Sequence, residues 1–158
     1  MAEFMPVASI SEITYFVKIL FSHIYNCDAV ENTKANTIFR KKISELAENI
    51  KMSEPIRKSL ALLKSFDWRY ASESPCHGDL TLENIIVAPD KKLYLIDFLD
   101  SFYNSYLMDL AKLFRDLELG WSFRKQPVST NRSLRLLIAK EAIMRELAEL
   151  ENAPQIIT

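Results

Sequence analysis

Apolar residues recur at helical spacing over the first seventy residues of the chain. Ser9 and Glu12 form the pattern of a capping box, which predicts the start of a helix. The apolar residues that follow on one face are Ile13, Phe16, Val17, Leu20 and Ile24. The segment 26–28, Asn-Cys-Asp, is predicted to end this helix.

Two more helices are predicted before residue 70. The second spans residues 32–50, and its predicted inward face consists of Phe39, Ile43, Leu46 and Ile50. The third follows Ser53, with Pro55 tolerated in its first turn, and its predicted inward residues are Ile56, Leu60 and Leu63. This part of the chain contains no glycine and no strand-like alternation, so we expect it to be helical throughout.

The pattern changes after Ser74 and Pro75. Apolar runs at 85–87 and 93–96 flank a polar turn at 89–92, which predicts a β-hairpin. Helical spacing returns in a stripe that ends near Gly120, at Leu107, Leu110, Leu113, Phe114 and Leu117. A last helix is predicted from Leu136, Ala139, Ile143, Leu147 and Leu150.

The predicted fold is therefore α+β and mainly helical, with one small hairpin. We expect a single domain over residues 1–158, in which 1–72 are helical, 73–100 form a loop and the hairpin, and 101–158 are helical again. Hydrophobic residues make up 49% of the chain and charged residues 26%, which is ordinary for a globular protein.

Charge and cysteine content exclude several classes of function. The net charge of −1 gives no electrostatic reason to expect nucleic acid or an anionic membrane as a partner. Cys27 and Cys76 cannot build a disulfide framework, and with two histidines they cannot complete a zinc site of standard spacing. With no apolar run of membrane length and no signal-peptide pattern, we expect a cytoplasmic protein.

Three polar residues around the predicted hairpin are candidates for metal binding and acid–base chemistry. Asp79 and Asn84 lie five residues apart in a turn-rich segment, and Asp97 follows the second predicted strand. Pairing of the strands brings Asn84 and Asp97 to the same end of the hairpin, where an amide oxygen and a carboxylate suit Mg²⁺. Asp79 is then left as a general base, with His77 bracing the loop and Gly78 allowing a tight turn. The alternative interpretation is that Asp79 caps a turn, Asn84 is an ordinary turn residue and Asp97 simply ends a strand.

These residues resemble a known family. The segments that carry the resemblance are His77-Gly78-Asp79-Leu80 with Asn84, Ile96-Asp97-Phe98, and Asp109-Leu110-Ala111. They resemble the aminoglycoside phosphotransferase and choline kinase-like group, small-molecule kinases that share the protein-kinase fold. The resemblance implies Asp79 as catalytic base, Asn84 and Asp97 as magnesium and nucleotide ligands, and ATP or GTP as phosphoryl donor. It also implies that Asp109 is a structural carboxylate that anchors the loop. The acceptor would be the hydroxyl group of a small molecule such as a sugar, an amino alcohol or an aminoglycoside.

Part of that family's pattern cannot be placed in this chain. Gly78 and Gly120 are its only glycines, so it contains no glycine-rich phosphate loop, and no strand lysine of the N-terminal lobe can be assigned. We therefore expect a C-terminal lobe only, with an exposed apolar surface for a polypeptide carrying the N-terminal lobe or for self-association. The alternative is a non-catalytic fragment or partner-binding subunit.

The acceptor site itself is left open by the sequence. Asp100 is either a carboxylate on the substrate side or a cap for its own loop. The aromatic residues near it either line an acceptor pocket or pack in the core, and they are Phe98, Phe102, Tyr103 and Tyr106.

Overall fold

The structure, a computed structural model, describes residues 1–25 and 30–149. Its helices and strands are α1 (Ile10–Ile24), α2 (Ala35–Asn49), α3 (Glu54–Ser65), β1 (Ile85–Val87), β2 (Leu93–Leu95), α4 (Tyr106–Leu119) and α5 (Thr130–Ala148). The prediction of a mainly helical fold with one small antiparallel hairpin is confirmed. The predicted end of the first helix at 26–28, Cys27 and Leu150 lie outside the described residues, and the single-domain organisation stays a prediction.

Helix α1 begins as its sequence predicts. The Ser9 N–H donates to Glu12 Oε2 at 2.9 Å, and the Glu12 N–H donates to Ser9 Oγ at 3.3 Å, so both halves of the capping box are present. All five apolar residues predicted for its inward face are buried. In the part of the chain that the structure describes, no helix has the length and apolar character to cross a membrane.

Helices α2 and α3 are buried less than their pattern predicts. They pack against each other and against the turn Trp68–Tyr70, forming a second apolar cluster around Phe39, whose ring stacks on Trp68 at 4.1 Å. This cluster is too small to cover a whole helix face. The prediction of an inward position is therefore wrong at Leu46, Ile50 and Leu63, which are exposed.

The main core brings the loop at 76–84 onto the long helices. Helix α1 packs on α5, and α4 packs on both. Leu80, Leu82 and Ile85 are buried in this core beside Leu113 of α4, so the loop and the first strand are held from beneath by apolar contacts. Gly120 ends α4 in the left-handed conformation, as predicted.

The register of the hairpin decides where its ends lie. Ile85 pairs with Leu95, Ile86 with Tyr94 and Val87 with Leu93. The Ile96 N–H also donates to the Asn84 carbonyl oxygen at 3.1 Å, which extends the pairing by one residue beyond the strands. Asn84 and Asp97 consequently lie at the same end of the hairpin, as the sequence predicts.

Candidate active site

The loop that carries Asp79 requires a glycine at residue 78. Gly78 has φ +83°, in the left-handed region. The Leu99 N–H donates to the His77 carbonyl oxygen at 3.0 Å and brings the two segments together. A Cβ on Gly78 would lie 1.9 Å from the Leu99 carbonyl oxygen, so no side chain fits between them.

A buried carboxylate from α4 holds the start of this loop. Asp109 accepts hydrogen bonds from the His77 N–H at 2.7 Å and the Gly78 N–H at 2.8 Å. It is 3% exposed, and burial raises the pKa of its carboxyl group, although the two hydrogen bonds oppose that shift. Asp109 thus satisfies two backbone donors that the tight turn leaves without other partners.

The His77 ring connects the loop to the segment after the hairpin. Its Nδ1 accepts from the Asp79 N–H at 3.3 Å, which leaves Nε2 to donate to the Ile96 carbonyl oxygen at 2.7 Å. The ring also stacks on Phe98, with 4.3 Å between centroids. His77 therefore orients the backbone on both sides of the candidate site.

Asp79 makes contacts with two side chains. Asn84 Nδ2 donates to the Asp79 carbonyl oxygen at 2.9 Å and to its Oδ2 at 3.4 Å. Lys112 Nζ, from α4, donates to Asp79 Oδ1 at 3.1 Å. The carboxylate is part-buried and retains lone pairs for a further donor, so it can accept a proton from a hydroxyl group placed beside it.

The oxygen atoms of Asn84 and Asp97 are available to a cation. Among residues 1–25 and 30–149, no group donates a hydrogen bond to Asn84 Oδ1 or to the Asp97 carboxylate. Asp97 has φ +59°, a left-handed conformation that non-glycine residues adopt rarely and that recurs at functional sites.

An amide oxygen and a carboxylate are donor types that suit Mg²⁺, which is held in proteins by one or two carboxylates together with phosphate oxygens and water. A larger protein-built cage is not present in the described ranges, where no cluster of three or more His, Cys, Asp or Glu side chains is arranged for a metal. Any metal at Asn84 and Asp97 would therefore complete its coordination with water and, when a nucleotide is bound, with phosphate oxygen atoms.

Helix α4 contributes two residues that the sequence analysis missed. Asp116 is fully buried, accepts from the Leu82 N–H and the Ser122 N–H at 2.7 Å each, and also accepts from Ser122 Oγ. Lys112 is the second. Asp109, Lys112 and Asp116 are three and four residues apart, so all three lie on one face of α4. Charged residues on the same face as an apolar stripe were the signal that could have identified them.

The remaining polar residues near the loop lie at its edges. Glu83 is exposed and pairs with Arg124 at 3.2 Å. Asp100 borders a cleft of about 680 Å³ beside the loop, whose lining residues are Val30, Glu73, Ser74, Pro75, Cys76, Phe98, Leu99, Asp100 and Asn104. Asp79 is not among them. Of the four aromatic residues singled out in the sequence, Tyr103 and Tyr106 are buried, whereas Phe98 and Phe102 are exposed.

Comparison with known proteins identifies the family. The sequence model of a phosphotransferase enzyme family matches residues 22–150, which is most of the chain and includes every candidate site residue. Comparison with curated proteins and with solved structures finds no match. The family match confirms the resemblance predicted from the motifs at 77–84, 96–98 and 109–111. The chain therefore belongs to the phosphotransferase enzyme family.

Proposed function

We propose that this protein transfers the γ-phosphoryl group of ATP or GTP to the hydroxyl group of a small molecule. One observation carries the proposal. Asp79 is hydrogen-bonded to Asn84, while Asn84 Oδ1 and the Asp97 carboxylate accept no hydrogen bond from the described residues. A candidate base and two candidate metal ligands thus lie on one loop and one hairpin end, as phosphoryl transfer requires.

Each residue has a role in this proposal. Asp79 accepts the proton of the acceptor hydroxyl group while the hydroxyl oxygen bonds to the γ-phosphorus. The bond between the γ-phosphorus and the β,γ-bridging oxygen breaks and releases a nucleoside diphosphate. Asn84 and Asp97 would hold Mg²⁺, which when bound neutralises charge on the phosphate oxygens. The role of His77, Gly78 and Asp109 is to position the loop, without contact to the nucleotide or the acceptor.

The cleft beside the loop favours a small acceptor that would occupy it in part and extend its hydroxyl group to Asp79, which does not line the cleft. Its rim combines the carboxylates of Glu73 and Asp100 with the exposed apolar side chains of Phe98 and Leu99. Such a mixed lining suits a compact polar molecule with some apolar surface. A sugar, an amino alcohol or an aminoglycoside all meet that description.

Calorimetric titration with Mg²⁺ and ATP tests the assignment of Asp97. We expect saturable, magnesium-dependent binding that Asp97→Asn abolishes, because the amide removes the charge and keeps the shape. Asp90→Asn is the matched control, since Asp90 lies in the exposed hairpin turn and pairs with Lys92. Binding that survives Asp97→Asn would contradict the assignment of Asp97. The role of Asp79 as base is tested separately, by comparing Asp79→Asn with the wild type in an acceptor screen.

An exposed apolar surface favours a second candidate function. Ile86, Tyr94 and Ile96 share the outward side of the hairpin and are 45%, 51% and 37% exposed. Three apolar side chains together on such a face are typical of an interaction surface. The second candidate is a partner-binding subunit, a C-terminal lobe whose hairpin contacts a segment carrying the nucleotide-covering lobe or a second copy of the chain.

Sedimentation velocity tests self-association through that surface. We expect the sedimentation coefficient to rise with concentration and Tyr94→Lys to abolish that rise, because a charge in an apolar contact is costly. Tyr15→Lys is the control, since Tyr15 is also exposed but lies on α1. A strict monomer at high concentration would contradict self-association.

A further inference from the structure

Lys112 lies at the candidate active site although it belongs to none of the family's motif segments. It projects from the middle of α4, one turn from Asp109 and one turn from Asp116. Those two aspartates hold backbone N–H groups of the loop, whereas Lys112 reaches a side chain. Its Nζ lies 3.1 Å from Asp79 Oδ1, and the two side chains are only 34% and 28% exposed.

The contacts of Asp79 give both of its carboxylate oxygen atoms a donor. Asn84 turns its Nδ2 toward Asp79, where it donates to both the carbonyl oxygen and Oδ2. That orientation, assigned by the hydrogen bonds, directs Asn84 Oδ1 away from Asp79. The other carboxylate oxygen of Asp79 is held by Lys112. The carboxylate therefore lies next to a candidate metal ligand while both of its oxygen atoms already have donors.

Without Lys112, the charge of Asp79 would be uncompensated beside that site. A divalent cation attracts every nearby carboxylate, and the attraction is stronger in a part-buried site than in water. Oxygen-rich sites for Mg²⁺ and Mn²⁺ readily include a further carboxylate. An Asp79 drawn onto the metal would lose the lone pairs that a general base needs.

We propose that Lys112 is a positioning residue that keeps Asp79 off the metal and available to the acceptor hydroxyl. The ammonium group offsets the carboxylate charge and fixes one of its oxygen atoms on the α4 side. This inference rests on the proposed function for the role of Asp79. Its effect on metal binding, however, is measurable without any turnover.

The test is a titration of the full chain with Mn²⁺ in the absence of nucleotide, in which electron paramagnetic resonance measures the bound metal. Mn²⁺ serves as the probe because it takes the same octahedral oxygen coordination as Mg²⁺. We expect Lys112→Met to bind Mn²⁺ about tenfold more tightly than the wild type, because Asp79 becomes a ligand. In the double variant Lys112→Met with Asp79→Asn, the gain should disappear.

Lys140→Met is the matched control. Lys140 is also a helix lysine of similar exposure, at 31%, and it pairs with Glu118 at 2.5 Å. The Lys140→Met substitution removes one positive charge away from the loop and should leave the affinity for Mn²⁺ unchanged. Lys112→Arg keeps the charge and should also keep the wild-type affinity, which separates charge compensation from loss of folding.

The outcomes separate this inference from the proposed function. No tightening in Lys112→Met, equal tightening in Lys140→Met, or a gain that survives Asp79→Asn would each overturn the inference. If the tightening depends on Asp79 but no phosphoryl transfer occurs with any acceptor, only the proposed function fails. In an active enzyme, Lys112→Met should lower kcat without raising the KM for the nucleotide, because the base is misplaced rather than the nucleotide site.

Discussion

The loop at 76–84 and the segment at 96–100 carry the candidate site residues, and they are held in different ways. In the loop, backbone N–H groups of His77, Gly78 and Leu82 donate to two buried aspartates of α4. In the second segment, Phe98 and Leu99 are exposed. Its main polar contacts are with the loop: the Leu99 N–H and the Ile96 carbonyl oxygen bond to His77, and the Ile96 N–H donates to the Asn84 carbonyl oxygen. The second segment is thus positioned largely by the first.

This difference indicates how each candidate residue is positioned. The location of Asp79 depends on buried charge and apolar packing, so changes around it should cost folding free energy. Asp97 has a strained backbone but no side-chain partner in the described residues. Changes to its side chain should therefore affect ligand binding and leave the fold intact.

Gly78→Ala should have the largest effect, because it acts where the two segments touch. The new methyl group would overlap the Leu99 carbonyl oxygen and sit in a left-handed backbone, so we expect a loss of more than about 3 kcal/mol in the free energy of unfolding. Gly120→Ala is the control: its Cβ meets only Leu136 Cδ1 at 3.7 Å, and the left-handed backbone alone costs about 1 kcal/mol. Denaturant unfolding measures both, and equal losses would show that the contact with Leu99 is unimportant.

Asp116→Ala should come next. It leaves the buried N–H groups of Leu82 and Ser122 without acceptors, so we expect a loss of about 3 kcal/mol in the free energy of unfolding. Glu118→Ala, two residues along α4, removes a surface pair with Lys140 and should cost less than about 1 kcal/mol. Chemical denaturation measures the free energy of unfolding of both variants. An equal loss in Asp116→Ala and Glu118→Ala would contradict the anchoring of the loop by Asp116.

The pH dependence of stability should show the burial of Asp109, with a smaller effect. Because its pKa is raised in the folded state, the folded protein binds the proton more tightly than the unfolded chain does. The free energy of unfolding should therefore fall as pH rises from the unfolded carboxyl pKa, about 3.9, through the raised folded pKa. The difference in stability between the wild type and Asp109→Asn isolates this group. A difference that stays constant with pH would contradict the raised pKa.

Asp97→Asn should have the smallest effect on stability. Asparagine tolerates the left-handed conformation as well as aspartate does, and no hydrogen bond within the described residues is lost. The free energy of unfolding should change by less than about 0.5 kcal/mol. Thermal unfolding of Asp97→Asn and of Asp97→Ala, which adds backbone strain, measures the difference in stability between the two variants. A large loss in Asp97→Asn would mean that the second segment is also held by its carboxylate.

Much of the fold could be predicted from local patterns. Capping at Ser9, helical spacing in α1, α4 and α5, and the stop at Gly120 depend on residues within a few positions of one another. The hairpin followed from two apolar runs around a turn, and its register then placed Asn84 and Asp97 at the same end of the hairpin. The inward faces of α2 and α3 were predicted only in part, because periodicity marks a face without stating how much surface exists to cover it.

The sequence by itself determined the mainly helical fold, the hairpin and the motif residues that identify the family, because each depends on local spacing. Tertiary structure alone decided that Lys112 pairs with Asp79 and that Asp116 holds Leu82, residues 33 and 34 positions apart. Such contacts depend on how α4 lies against the loop, and that angle is set by apolar packing in the main core. Local periodicity carries no information about it.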